Sequence, residues 1–207
     1  LGSIQDERAV PALVKSLGDP DTNVRFYAAY ALGEIKDPRA AATLVQVLRD
    51  PQWTVRDQAA WALREIGDER TIEPLVAMLQ DDAADLSHIL WLLSGFGAGK
   101  TTGPLAALLS DSNPAVRLRA VRVLGRFREK AALGPLVTAL KNTDPAVRLA
   151  AVKALVSLRD DRAVGPLRDL AAHEDDPEVR AAAAEAAVEL SRHEALAAHW
   201  SFDEADR

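Results

Sequence analysis

The chain repeats itself. Val24-Arg25, Val55-Arg56, Val116-Arg117, Val147-Arg148 and Val179-Arg180 recur at steps of 31, 61, 31 and 32 residues, each a few residues after a proline. Each pair also opens an alanine- and leucine-rich stretch. A fixed period of roughly 20–50 residues marks an array of stacked units in which each repeat contacts only its neighbours. In such an array whatever recurs is scaffold. Function is expected where residues vary at a recurring exposed position.

Aligned on itself, the chain places Leu13, Leu44, Leu75, Leu105, Leu136 and Leu167 at one position, each early in a short apolar stretch, helix A. A turn follows, such as Asp144-Pro145 or Asp176-Pro177, where Asp suits an N-cap and Pro a first helical residue. Helix B comes next. In the first repeat Val24, Ala28, Ala31, Leu32 and Ile35 form one amphipathic stripe. The expected units are repeat 1 at 6–36, repeat 2 at 37–67, repeat 3 at 68–97, repeat 4 at 98–128, repeat 5 at 129–159 and repeat 6 at 160–191. A capping helix is expected at 192–207, with Trp200 and Phe202 closing the last apolar layer. Leu1 to Asp6 aligns with the tail of a helix B, Leu32 to Asp37, so the chain reads as a piece of a longer array.

The phrase Asn113-Pro114-Ala115-Val116-Arg117, with Ala120, Val123-Leu124-Gly125 and Gly134-Pro135-Leu136, resembles the short HEAT-like repeats of phycobilisome bilin lyases and many bacterial and archaeal scaffold proteins. The resemblance covers essentially the whole chain. It implies an all-α fold, a right-handed α-solenoid of antiparallel helix pairs with A helices convex and B helices concave. Its implications for activity are broad, because the family includes binding scaffolds, lyase subunits and some enzymes, and fold does not set function. The repeating Val-Arg arginines are expected to be structural, forming an Asp–Arg ladder with the turn residues Asp19, Asp50, Asp144 and Asp176.

Composition removes several classes of function. The chain has no cysteine, so thiol catalysis, disulfides and thiolate metal sites are excluded. No apolar run reaches membrane-spanning length, no leader is visible, and the expected compartment is the cytoplasm. A net charge of −6 sets the chain as a whole against nucleic acid, leaving only a local basic patch for that role.

Ser94 to Thr101 looks like a phosphate loop, but Ser94 replaces the first glycine and helix, not strand, precedes it. In register it overlies Ile66 to Thr71, an ordinary turn, and its glycines predict a softer joint after the third unit. His173-Glu174 and His193-Glu194 resemble the His-Glu pairs of HEAT-like metal hydroxylases. Such enzymes need several pairs on inner helices, so these are read as solvated turn residues. No cofactor or metal is expected.

The informative signal is a comparison of helix B columns. One reads Tyr30, Trp61, Trp91, Arg122, Lys153, Glu185; a second reads Tyr27, Gln58, His88, Arg119, Ala150, Ala182; a third reads Glu34, Glu65, Gly95, Arg126, Ser157, Glu189. All are expected to be exposed, opposite the core stripe. Exposed aromatics in a row usually mark an interaction site, and Trp, Tyr and Arg dominate interface energetics. Tyr27, Tyr30, Gln58, Trp61, His88, Trp91, Arg119, Arg122, Arg126 and Lys153 are therefore the expected partner-binding residues for a peptide or protein. The competing structural explanation is that Trp61 and Trp91 stack on each other. The resemblance adds a chromophore-handling alternative, with Arg119 and Arg122 taking tetrapyrrole carboxylates. The third unit breaks the pattern, with a short turn at Asp81-Asp82-Ala83-Ala84-Asp85, Leu86 in place of the arginine and an apolar helix at Ile89 to Leu93. The stack is expected to bend or widen there.

Overall fold

The computed structural model describes residues 6–81 and 84–205, with side chains described through Arg192 apart from Ala98. Leu1 to Gln5, Asp82-Ala83, the His193-Glu194 side chains and the closing side chains of Trp200 and Phe202 lie outside the described residues. Among the described residues every regular element is helical.

Short and long helices alternate. The A helices are α1 Val10–Ser16, α3 Ala41–Val47, α5 Ile72–Ala77, α7 Ala98–Ala107, α9 Leu133–Ala139 and α11 Val164–His173. The B helices are α2 Thr22–Ile35, α4 Trp53–Ile66, α6 Leu86–Phe96, α8 Pro114–Phe127, α10 Pro145–Leu158 and α12 Pro177–Ala205. The helix–turn–helix unit of a HEAT-type solenoid is thus present. Helix α12 runs without interruption through the position where a separate capping helix is expected to start.

Local chemistry explains the boundaries. Asp21, Asp85, Asn113, Asp144 and Asp176 cap B helices by accepting the N–H two residues on. Asp6, Asp37, Asp68 and Asp160 do the same in the 3-10 turns that lead into A helices. There the guanidinium of Arg8, Arg39, Arg70 or Arg162 returns to the same carboxylate. Helices α2, α4, α8 and α10 end on left-handed residues: Gly67 where no strain results, but also Lys36, Arg128 and Arg159.

The chain forms two compact units, Leu1–Thr101 and Thr102–Arg207. Their boundary falls inside α7, in the turn where Pro104 contributes no N–H. In the first unit α1, α3 and α5 pack on α2, α4 and α6, and neighbouring B helices pack on each other. Leu32, Leu44, Leu63, Leu75, Leu92 and Leu93 fill its core. In the second unit α9 and α11 pack on α10 and α12, and α8, α10 and α12 form the B layer. Leu105, Leu124, Leu136, Leu155 and Leu167 are buried there, with Ala151 and Ala183 letting the helices approach. The expected stripe of α2 needs one correction. Ala28, Ala31 and Leu32 are buried, but Val24 is 39% exposed while Val55, Val116, Val147 and Val179 are buried.

Three Val-Arg arginines form the ladder: Arg25 takes the expected Asp50, whereas Arg117 and Arg148 reach Asn142 and Glu174 rather than Asp144 and Asp176. Arg25 donates to both oxygens of Asp50 at 2.6 and 2.9 Å, and to the carbonyls of Asp19 and Pro20. Arg148 does the same with Glu174 and with the carbonyls of Asn142 and Thr143. Arg117 reaches the Asn142 side chain at 3.3 Å. The partners are therefore Asp50, Asn142 and Glu174, at the end of the A helix of the next repeat. Asp144 and Asp176 are N-caps two residues later. The sequence reading merged the two rows because both fall within one short turn. Glu174 is also not a solvated turn residue: its side chain is 4% exposed.

Candidate functional site

The first unit carries the aromatic columns on α2, α4 and α6. Tyr27 and Tyr30 are exposed, as is Trp91, while Trp61, Gln58 and His88 are half-buried. Trp61 does not stack on Trp91. Its ring lies on that of Tyr30, with centroids 5.5 Å apart and planes inclined by 13°. Gly33 makes this possible, since a Cβ there would stand 2.9 Å from Trp61 Cε3 and 3.0 Å from Ala62 Cα. Trp91 instead receives Arg64, whose guanidinium sits 4.8 Å from the ring centroid and donates to the Trp91 carbonyl at 2.6 Å.

Arg64 was missed in the sequence reading. Its signal is position: it stands where Gly33 and Gly125 stand in their repeats, at the seam between B helices. A Cβ on Gly95 would lie 2.5 Å from Arg64 Nη1, so the irregular third unit gives up a side chain there for the guanidinium. His88 is held between carboxylates, with Nε2 bonded to Asp57 and Nδ1 3.2 Å from Asp85 Oδ2. Trp53, 63% exposed at the start of α4, was also missed; an aromatic at a polar turn position was its signal.

The second unit carries the basic part. Arg122, Arg126 and Lys153 are exposed, as expected. Arg119 is not: it is buried, with Nε donating to the Ala115 carbonyl at 3.3 Å, so its side chain folds back along α8. Between α8 and α10 lies a cleft of about 740 Å³ lined by Arg122, Arg126, Arg128 and Lys153 together with Leu118, Leu149 and small residues. Arg128, in a left-handed conformation just past α8, was not anticipated.

The glycine-rich segment is a helix start. Lys100 N–H donates to the Gly97 carbonyl at 3.3 Å within the first turn of α7, and Lys100 Nζ reaches Glu69 at 2.6 Å. His173 Nδ1 is 2.9 Å from the Asp169 carbonyl oxygen, and Glu174 is committed to Arg148. Among the described residues no three His, Asp or Glu side chains gather into a metal-binding group. No helix among them is long and apolar enough to cross a membrane.

Stacked helix pairs with aspartate-capped turns and an arginine ladder define an all-helical repeat protein. The chain belongs to the HEAT-repeat family: the HEAT repeats model matches residues 10–93 and 102–187. No curated protein matches it. Among solved structures it is similar to human deoxyhypusine hydroxylase in complex with glycerol, at 28% identity over 93% of this chain and 76% of that one, with a TM-score of 0.48. The complex of CpcE and CpcF of phycocyanin lyase from Nostoc sp. PCC7120 matches at 21% identity over 90% and 84%, with a TM-score of 0.42. A designed armadillo repeat protein in complex with the peptide (KR)4 matches at 23% identity over 87% and 98%, also with a TM-score of 0.42.

Proposed function

We propose that the chain is a non-enzymatic interaction scaffold that holds a peptide or protein partner on the faces of its B helices. The observation that carries this reading is the aromatic row of the first unit. Tyr27 is 65% exposed and Tyr30 44% exposed on α2, and Trp91 is 44% exposed on α6, with the half-buried Trp61 of α4 between them in the row. Leaving such rings in water forgoes burial of about 25 cal/mol per Å² of apolar surface. Two of them are already oriented, Tyr30 by Trp61 and Trp91 by Arg64. Rings immobilised before binding lose little conformational entropy when a partner covers them. Tyr27, Tyr30, Gln58, Trp61, His88 and Trp91 are assigned to this face. Arg122, Arg126 and Lys153 are assigned to the corresponding face of the second unit, and the buried Arg119 is left out.

The test uses the full chain as bait in an extract of its native host, compared with a Tyr30→Ala/Trp91→Ala double variant. A protein held by the wild type is identified by mass spectrometry, purified and titrated against both. Binding that weakens at least about a hundredfold, as loss of two aromatic hot spots predicts, supports the reading, given unchanged helical circular dichroism. Equal affinity for the two would sink this face.

A further inference from the structure

The cleft between α8 and α10 has a charge pattern that the scaffold itself does not require. Elsewhere Arg8, Arg25, Arg39, Arg49, Arg70, Arg148 and Arg162 each form an ion pair, and Arg56, Arg64, Arg117 and Arg180 bond to neutral carbonyl or amide oxygens. Arg122, Arg126, Arg128 and Lys153 converge on one cleft, and none has an ion pair or side-chain hydrogen bond among the described residues. No acidic residue lines the cleft. Four like charges left together in a chain of net charge −6 repel one another. An anionic occupant removes that repulsion.

The rest of the lining narrows the occupant further. Leu118, Leu149, Ala146, Ala150, Ala154 and Gly125 share the lining with the cations, so the cleft offers aliphatic surface beside its positive charge. At Gly125 a Cβ would lie 2.6 Å from that of Ala154, so α8 and α10 are in direct contact there. No aromatic residue lines the cleft. Single-stranded nucleic acid is held by stacking on aromatic platforms, which this cleft does not offer. A carboxylate suits it better, because a guanidinium binds one with two parallel hydrogen bonds.

We propose that this cleft binds an acidic peptide segment of a partner, with carboxylates on Arg122, Arg126, Arg128 and Lys153 and aliphatic side chains on Leu118 and Leu149. This rests on the scaffold reading and names the partner chemistry of the second unit. The aromatic face of the first unit is not involved, so the two readings fail separately.

The test is fluorescence anisotropy with the full chain and a fluorescein-labelled peptide of Glu, Leu and Ser, with an oligothymidylate as the comparison polyanion. The expected result is saturable binding of the peptide, weakened about tenfold or more by Arg122→Glu/Lys153→Glu, the loss expected when surface Coulomb contacts are reversed. Both positions are exposed, so the variant keeps its helical circular dichroism. Leu149→Ser is expected to weaken binding severalfold, and Tyr30→Ala/Trp91→Ala to leave it unchanged. Unaltered affinity in the charge-reversal variant overturns the proposal. So does tighter binding of the oligothymidylate with no effect of Leu149→Ser, which would make the cleft a phosphate-backbone groove.

Discussion

Replacing Glu174 with alanine tests whether the ladder stabilises the stack or merely decorates it. Glu174 accepts Arg148 Nε at 2.7 Å, Arg148 Nη2 at 2.6 Å and the Asp176 N–H at 2.9 Å. Its side chain is 4% exposed and that of Arg148 15%. Alanine removes all three bonds and leaves a guanidinium in a mostly covered site. Breaking a buried ion pair by removing one partner costs about 3–5 kcal/mol. Arg148 keeps its bonds to the carbonyls of Asn142 and Thr143 and some contact with water, so the low end applies. A loss of about 3 kcal/mol lowers the melting midpoint by about 6–12 °C in a chain of this size. Glu174→Gln retains an acceptor and is expected to cost about half as much.

The same variant has a pH signature. The hydrogen bonds from Arg148, opposed by burial and aided by the Asp176 N–H, hold the Glu174 carboxyl below its ordinary value of 4.5. A carboxyl depressed in the folded state contributes stability that is complete above its unfolded value and is lost as pH falls through the folded one. The gap between wild type and Glu174→Ala is therefore constant from neutral pH down to about 4.5 and closes in more acid solution. Thermal unfolding followed by far-ultraviolet circular dichroism over a pH series measures both effects. A midpoint shift under about 2 °C at neutral pH, or a gap that widens in acid, refutes the reasoning.

Gly33→Ala places a methyl against Trp61 and the Ala62 backbone and is expected to cost about 1–3 kcal/mol by overpacking. Because Trp61 must leave Tyr30, the near-ultraviolet circular dichroism changes with it; an unchanged spectrum contradicts the stack. Arg159→Gly relieves a left-handed residue at φ 54° and is expected to raise stability by about 0.5–1 kcal/mol in denaturant unfolding. Lys100→Ala leaves the unfolding midpoint where it was, since the pair with Glu69 is more than half exposed on both sides, and a measurable drop counts against reading it as a surface contact.

Much of the exposed row on both units was legible before the structure. Tyr30, Trp91, Arg122 and Lys153 share one column because a period near 31 residues repeats one helical orientation, and all four are exposed. The failures occur where a neighbour, not the periodicity, sets the environment. Arg119 occupies the same column as the exposed Tyr27, yet its guanidinium bonds back to Ala115 and the side chain is covered. Trp61 and Trp91 are one repeat apart, but Gly33 admits Tyr30 as the stacking partner of one and Arg64 occupies the seam beside the other.

The sequence by itself determined the repeat, the helix pair, the caps and which columns face away from the core. Those properties are local: a hydrophobic stripe and an Asp one turn before it act within a single helix. The tertiary structure alone decided that Arg148 takes Glu174 and Arg117 takes Asn142, since both come from the next repeat and lie only two residues before the capping positions Asp176 and Asp144. It also decided that Arg122, Arg126, Arg128 and Lys153 line one cleft together with Leu118 and Leu149. Contacts between repeats depend on the depth and packing of neighbouring side chains, which a one-dimensional period does not encode.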